Sequence, residues 1–254
     1  MNRFRSLLLF LVMLLISGCA TAPSDLPQKW DASKRAEAHV ELGFDYLRRG
    51  QFDVAREELD LAISIDPKSD RAYHGKGLLM AQTGYVEEAT QLFGKAVSLN
   101  SSNYLAVNDY GIYLCRNGSF DKGFETLQRA EARPDNQLFT NTQLGLGICN
   151  FEQGNVPEAK QYFRKVLNAL PRLPQALLPM AEISFQEQNF LSARAFVERY
   201  IAAGALSEKA LVIGANTELM LGDKEKARQY ARELRRAYPS SSQNEKFRSL
   251  FNSG

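Results

Sequence analysis

Few side chains in this chain could carry covalent or acid–base chemistry, and their spacing narrows the options further. The only histidines are His39 and His74, and no cysteine or carboxylate accompanies either of them at metal-ligand spacing. The G-x-S-x-G, P-loop and H-E-x-x-H patterns do not occur. No catalytic residue, metal site, cofactor or small-molecule substrate is therefore assigned from sequence, and the chain is not read as an enzyme. The reactive groups that remain are three cysteines, Cys19, Cys115 and Cys149.

Cys19 has a distinctive setting. Arg3 and Arg5 precede an apolar run from Leu7 to Ile16, and Ser17-Gly18 leads into Cys19. A positive start, a short apolar core and a small-residue cleavage site make a secretory signal, too short to span roughly 30 Å of hydrocarbon as a permanent helix. The end of the run resembles a bacterial lipobox. That resemblance implies that residues 1–18 are a signal peptide and that Cys19 carries a three-chain lipid, the only covalent group expected. Two chains already hold a protein stably to a bilayer, so three anchor it permanently. Ala20 stands where an aspartate would resemble an inner-membrane retention signal, so the expected address is the periplasmic face of the outer membrane. An ordinary signal peptide with a chance cysteine is the alternative. Without Arg3 and Arg5 the acidic and basic side chains balance, which excludes an electrostatic nucleic-acid binder.

Positions 50, 84, 118, 154, 188 and 222 mark polar turns spaced by 34, 34, 36, 34 and 34 residues. Five hold glycine and one holds Gln188, and each is followed five residues later by Ala55, Ala89, Gly123, Ala159, Ala193 or Ala227. A 34-residue period is that of the tetratricopeptide repeat, a pair of antiparallel helices that stacks on its neighbours. The predicted fold is all-α, a right-handed superhelix of about six helix-turn-helix repeats. Residues 19–32 form the tether, with Pro23 and Pro27, and Trp30 is placed against the first repeat. Repeats then run over 36–69, 70–103, 104–139, 140–173, 174–207 and 208–241 within 33–241. Twelve helices of about 12–15 residues are expected from Ser33 to Tyr238. The long connection Arg133–Leu138 is the candidate for a change of pitch. Residues 242–254 form a tail in which Phe247, Leu250 and Phe251, at i, i+3 and i+4, make a capping helix.

In such repeats, positions 2, 5, 9 and 12 of the first helix commonly face the concave surface. Position 9 reads Phe44, Leu78, Ile112, Ile148, Glu182 and Asn216, and is apolar through the early repeats. A partner-binding groove over the first three repeats is expected from Val40, Phe44, Leu47, His74, Leu78, Asn108 and Ile112, since contiguous exposed apolar surface marks interaction sites. In the later repeats the same positions hold Leu144, Ile148 and Phe151, then Gln175, Leu178, Glu182 and Phe185. The alternative is that helix packing simply buries these residues. The groove lacks the Lys and Asn residues of a carboxylate clamp; the matching residues are Val40, Phe44 and Gly75. Cys115 and Cys149 sit on first helices of consecutive repeats. A disulfide needs Cα atoms within about 7 Å, and helix axes pack about 8–10 Å apart, so buried free thiols are expected.

A lipobox, a brief tether and six repeats are similar to the PilF/PilW family, the outer-membrane pilotins of type IV pilus systems. The likeness is carried by Glu41–Pro67 (ELGFDYLRRGQFDVAREELDLAISIDP), Asn108–Leu127 (NDYGIYLCRNGSFDKGFETL) and Leu234–Ser241 (LRRAYPSS). It implies a lipoprotein that binds the secretin subunit, brings it to the outer membrane and promotes pore assembly. Rival readings are an adaptor for β-barrel assembly or peptidoglycan hydrolases, and a lipid-anchored hydrolase.

Overall fold

The computed structural model describes residues 28–248 and 250. Cys19, expected to carry the lipid, Pro23 and Pro27 of the expected tether, the side chain of Trp30 and Phe251 lie outside the described residues. The chain divides into two compact units, 1–75 and 76–254, with the division inside helix α3 (Asp70–Gln82).

In the first unit, α1 (Gln28–Arg48) and α2 (Phe52–Ile65) form a hairpin. The turn between them passes through Gly50 at φ 71°, a left-handed conformation that costs glycine little. α1 runs 21 residues and begins before Ser33, longer than the expected 12–15. Ala55, Leu59 and Ala62 are buried along one face of α2, the i, i+4, i+7 stripe that an amphipathic helix turns to its core. Val40, Ala62 and Ala72 close the unit's centre, with Phe44 and Ile63 packed around them.

The second unit continues with α4 (Val86–Leu99), α5 (Tyr104–Arg116), α6 (Phe120–Glu131), α7 (Phe139–Gln153), α8 (Val156–Ala169), α9 (Pro174–Gln186), α10 (Phe190–Ala202), α11 (Glu208–Met220), α12 (Lys224–Ala237) and the short α13 (Gln243–Lys246). From α5 onward, the first helix of each pair packs on its own second helix and on the first helix of the next pair. Among the described residues no strand occurs, and no helix is long and apolar enough to cross a membrane. The expected tetratricopeptide architecture is therefore present. The main core runs from Leu144 and Ile148 through Phe163, Val166, Leu177, Met180 and Ile183 to Ala210.

Three local features refine this picture. The long α6–α7 connection is organised by buried Asn136, whose amide donates to the carbonyl of Ala130 and to Thr142 Oγ1, both at 2.9 Å. Beside it, hydrogen bonds from the Arg133 guanidinium and the Tyr104 hydroxyl hold the Asp135 carboxyl well below the usual carboxylate range. The turn before α10 keeps the shape of its glycine counterparts: Gln188 has φ 58°, while Gly50, Gly84, Gly118, Gly154 and Gly222 lie at 71–85°. At the C-terminus Phe247 is buried against Leu211, Ala215, Ala231 and Leu234, with Leu250 alongside. These side chains cover the last repeat, as a solenoid end requires.

Candidate interaction surface

The seven residues expected to line a groove divide by burial. Val40, Leu47, His74 and Asn108 are buried, at 0%, 6%, 1% and 3% exposure. They pack the repeats and do not present an open surface, which corrects the reading of them as groove lining. The reason is local: Val40 meets Ala62 and Ala72, and Asn108 Oδ1 accepts a hydrogen bond from Thr142 Oγ1 at 2.8 Å. Phe44, Leu78 and Ile112 are half-buried. The Phe44 ring lies 5.7 Å from that of His74 and carries the Arg71 guanidinium above it at 5.8 Å. Ile112 packs against the main core of the second unit. His39 Nδ1, for its part, is hydrogen-bonded to Glu58 Oε2 at 2.6 Å.

An open cavity lies further along the chain. A cavity of about 380 Å³ in the second unit is lined by Arg116, Ile148, Phe151, Glu152, Pro174, Gln175, Leu178, Pro179, Glu182, Tyr200 and Lys209. Ile148 and Phe151 are positions 9 and 12 of the fourth repeat. Gln175, Leu178 and Glu182 are positions 2, 5 and 9 of the fifth, and Lys209 is position 2 of the sixth. The register thus places six of the lining side chains at groove positions, while Phe44 and Leu78, apolar at position 9, do not line this cavity. Tyr200, supplied by a second helix, and the helix-ending Arg116 and Glu152 were missed, because they enter through tertiary packing. Lys209 pairs with Glu182 at 2.5 Å. Arg116 and Glu152 are exposed on the cavity rim without an ion-pair partner among the described residues. Pro179 stands inside α9. It has no N–H, so the carbonyl of Gln175, four residues back, lacks its helical donor.

The cysteines form a disulfide, which overturns the expectation of free thiols: Cys115 and Cys149 are bridged with Cα atoms 5.1 Å apart. Axis separation overstates the distance between facing residues. With Cα atoms about 2.3 Å from each axis, residues facing each other across axes 8–10 Å apart approach to about 5 Å. Gly123 makes room for the bridge. A Cβ there would overlap Cys115 Sγ and lie 3.0 Å from the carbonyl oxygen of Gly111.

A further polar cluster, unseen in the sequence, joins the last two repeats. Glu218 on α11 is fully buried and accepts from Arg194 Nε on α10 at 2.9 and 3.1 Å. Lys226 Nζ lies 3.5 Å from the same carboxylate and also pairs with Glu198. The hydrogen bond to Glu218 raises the Arg194 pKa, and that to Glu198 raises the Lys226 pKa.

Tetratricopeptide-repeat family models match residues 70–103, 36–69, 142–172 and 209–241. The type IV pilus assembly protein PilF of Pseudomonas aeruginosa is 26% identical over 249 residues, covering 96% of this chain and 97% of that protein. Among solved structures, Pseudomonas aeruginosa PilF superposes with TM-score 0.71 at 24% identity over 86% of this chain and 99% of the other. PilW, described as a widely conserved type IV pilus biogenesis factor, gives TM-score 0.71 at 22% identity over 83% and 97%. Both structures support the fold. This chain belongs to the tetratricopeptide-repeat family and is a PilF/PilW-like member of it.

Proposed function

We propose that this protein is a lipid-anchored adaptor of type IV pilus biogenesis, held at the periplasmic face of the outer membrane through Cys19. In this reading it binds the secretin subunit and promotes its outer-membrane localisation and multimer assembly. The observation that carries the proposal is the end-to-end likeness to a type IV pilus assembly protein, over 96% of this chain and 97% of the relative. Two features accord with it. A disulfide in a bacterial protein suits an oxidising compartment outside the cytoplasm, where the lipobox would send the chain. A repeat scaffold with a concave cavity suits a protein ligand better than a reaction.

The test uses a strain lacking this gene, complemented with wild type or Cys19→Ser. Wild type should restore secretin multimers in the outer-membrane fraction and co-purify with the secretin from detergent-solubilised membranes. Cys19→Ser should fold but fail to reach that fraction. Normal secretin multimers in the deletion strain would defeat the proposal.

A further inference from the structure

We propose that the cavity over the third to sixth repeats docks a partner peptide with one bulky apolar side chain, flanked at one end by an acid and a base. The inference deepens the adaptor reading, and it rests on that reading only for the partner's identity. The floor is apolar, formed by Ile148, Phe151, Leu178 and Tyr200. At about 380 Å³ it falls near the small end of ligand cavities, which run about 300–1,000 Å³, so it suits a side chain with its flanking backbone.

Charge sets the orientation of the occupant. Where Lys209 and Glu182 meet, the lining is neutralised by their own 2.5 Å pair. Arg116 and Glu152 are instead exposed, opposite in sign and, among the described residues, unpaired. An acid facing Arg116 and a base facing Glu152 would complement them, while the swapped order would place like charges together. Exposed pairs of this kind select register and partner more than they add affinity. The apolar anchor supplies the binding. Pro179 adds a backbone contact in this proposal: it gives the Gln175 carbonyl, on a cavity-lining residue, no helical N–H, so that oxygen is assigned an N–H of the extended peptide.

The experiment places a photo-crosslinking amino acid at position 175 of the full-length, membrane-anchored protein in cells. A control places it at position 191, where Leu191 is 68% exposed on α10. Position 175 should capture a segment with the apolar residue flanked by acid and base, and position 191 should not. Arg116→Glu with Glu152→Lys should cut the product at least tenfold while thermal unfolding is unchanged. Pro179→Ala restores the helical donor, so it should raise the unfolding midpoint and still reduce capture several-fold. A merely structural proline would not separate those two effects. Capture at 175 of a fitting segment from a protein other than the secretin supports the cavity assignment and defeats the secretin reading. Capture of the secretin only from positions outside the cavity does the reverse. A captured segment without the stated pattern, or one insensitive to all three substitutions, overturns the proposal.

Discussion

Two junctions in the second unit solve one packing problem with different chemistry. Between the third and fourth repeats, Cys115 and Cys149 bridge adjacent first helices, and Leu127 and Leu146 pack beside them. Between the fifth and sixth, Arg194 reaches across to fully buried Glu218, with Lys226 and Glu198 completing the network. A covalent bridge keeps the two helices together even when the surrounding repeats open. A buried ion pair holds only while both partners are present, and its desolvation cost offsets most of its attraction. Repeat proteins are stabilised largely by such nearest-neighbour interfaces, so the two junctions should fail in different ways.

Removing the bridge should have the larger effect. Cys115→Ala with Cys149→Ala opens a loop of sequence separation 34, worth about 3–4 kcal/mol by loop-closure entropy. Urea unfolding followed by circular dichroism should show that loss. A change below about 1 kcal/mol would mean that the Leu127–Leu146 packing holds this junction without the sulfurs. Arg194→Ala comes next, at about 3 kcal/mol, because it strands a buried carboxylate that Lys226 compensates only in part. Hydrogen exchange should then accelerate in α11 and α12 and leave α5 to α7 protected. The paired replacement Arg194→Met with Glu218→Leu should recover most of the loss, since apolar residues of similar volume commonly match or exceed a buried pair. Failure to recover would show that the ions fix the geometry of this junction as well as its stability.

A finer test lies within the covalent junction. Gly123→Ala places a methyl group against Cys115 Sγ and 3.0 Å from the Gly111 carbonyl oxygen, an overpacking that costs about 1–3 kcal/mol. In the protein lacking both cysteines the sulfur is gone, so that cost should shrink. Equal costs in the two backgrounds would show that the backbone approach, and not the bridge, requires glycine here. The other five repeats carry alanine at this position, which fits a demand peculiar to the cystine repeat.

The period and the small-residue pattern made the helix pairs legible, because each repeat solves the same local problem at the same spacing. Gln188 was visible as an exception for the same reason. The site was legible only in part. Register placed Gln175, Leu178 and Glu182 on the concave face, but the apolar character of Phe44 said nothing of its being covered by His74 and Arg71. Val40 shows the same limit, an apolar side chain buried completely against Ala62 of the hairpin and Ala72 of α3. Arg194 and Glu218 lie on helices that meet only after the repeats stack, so no local spacing announces their pairing. The cystine turns on geometry: sequence places both residues on neighbouring helices, but facing Cα atoms each stand about 2.3 Å nearer the partner than their helix axes do.

The smallest effect belongs to the turn of the fifth repeat, beside the ionic junction. Gln188 adopts φ 58° where Gly118, in the cystine repeat, has 79°. A left-handed conformation costs a residue with a Cβ about 1–2 kcal/mol, whereas glycine loses about 0.5–1 kcal/mol more conformational entropy than alanine on folding. The first figure is the larger, so Gln188→Gly should stabilise the protein by about 0.5–1 kcal/mol. Gly118→Gln should destabilise it by a similar amount. Chemical unfolding of both variants decides the matter. If Gln188→Gly gives no gain, the glutamine side chain contributes enough to offset its backbone strain. The turn would then not be a weak point that distinguishes the ionic junction from the covalent one. If the gain appears and is larger when Arg194 is also replaced, the turn and the ion pair stabilise the same C-terminal segment. Non-additivity of that kind is expected for coupled neighbours and absent for independent sites.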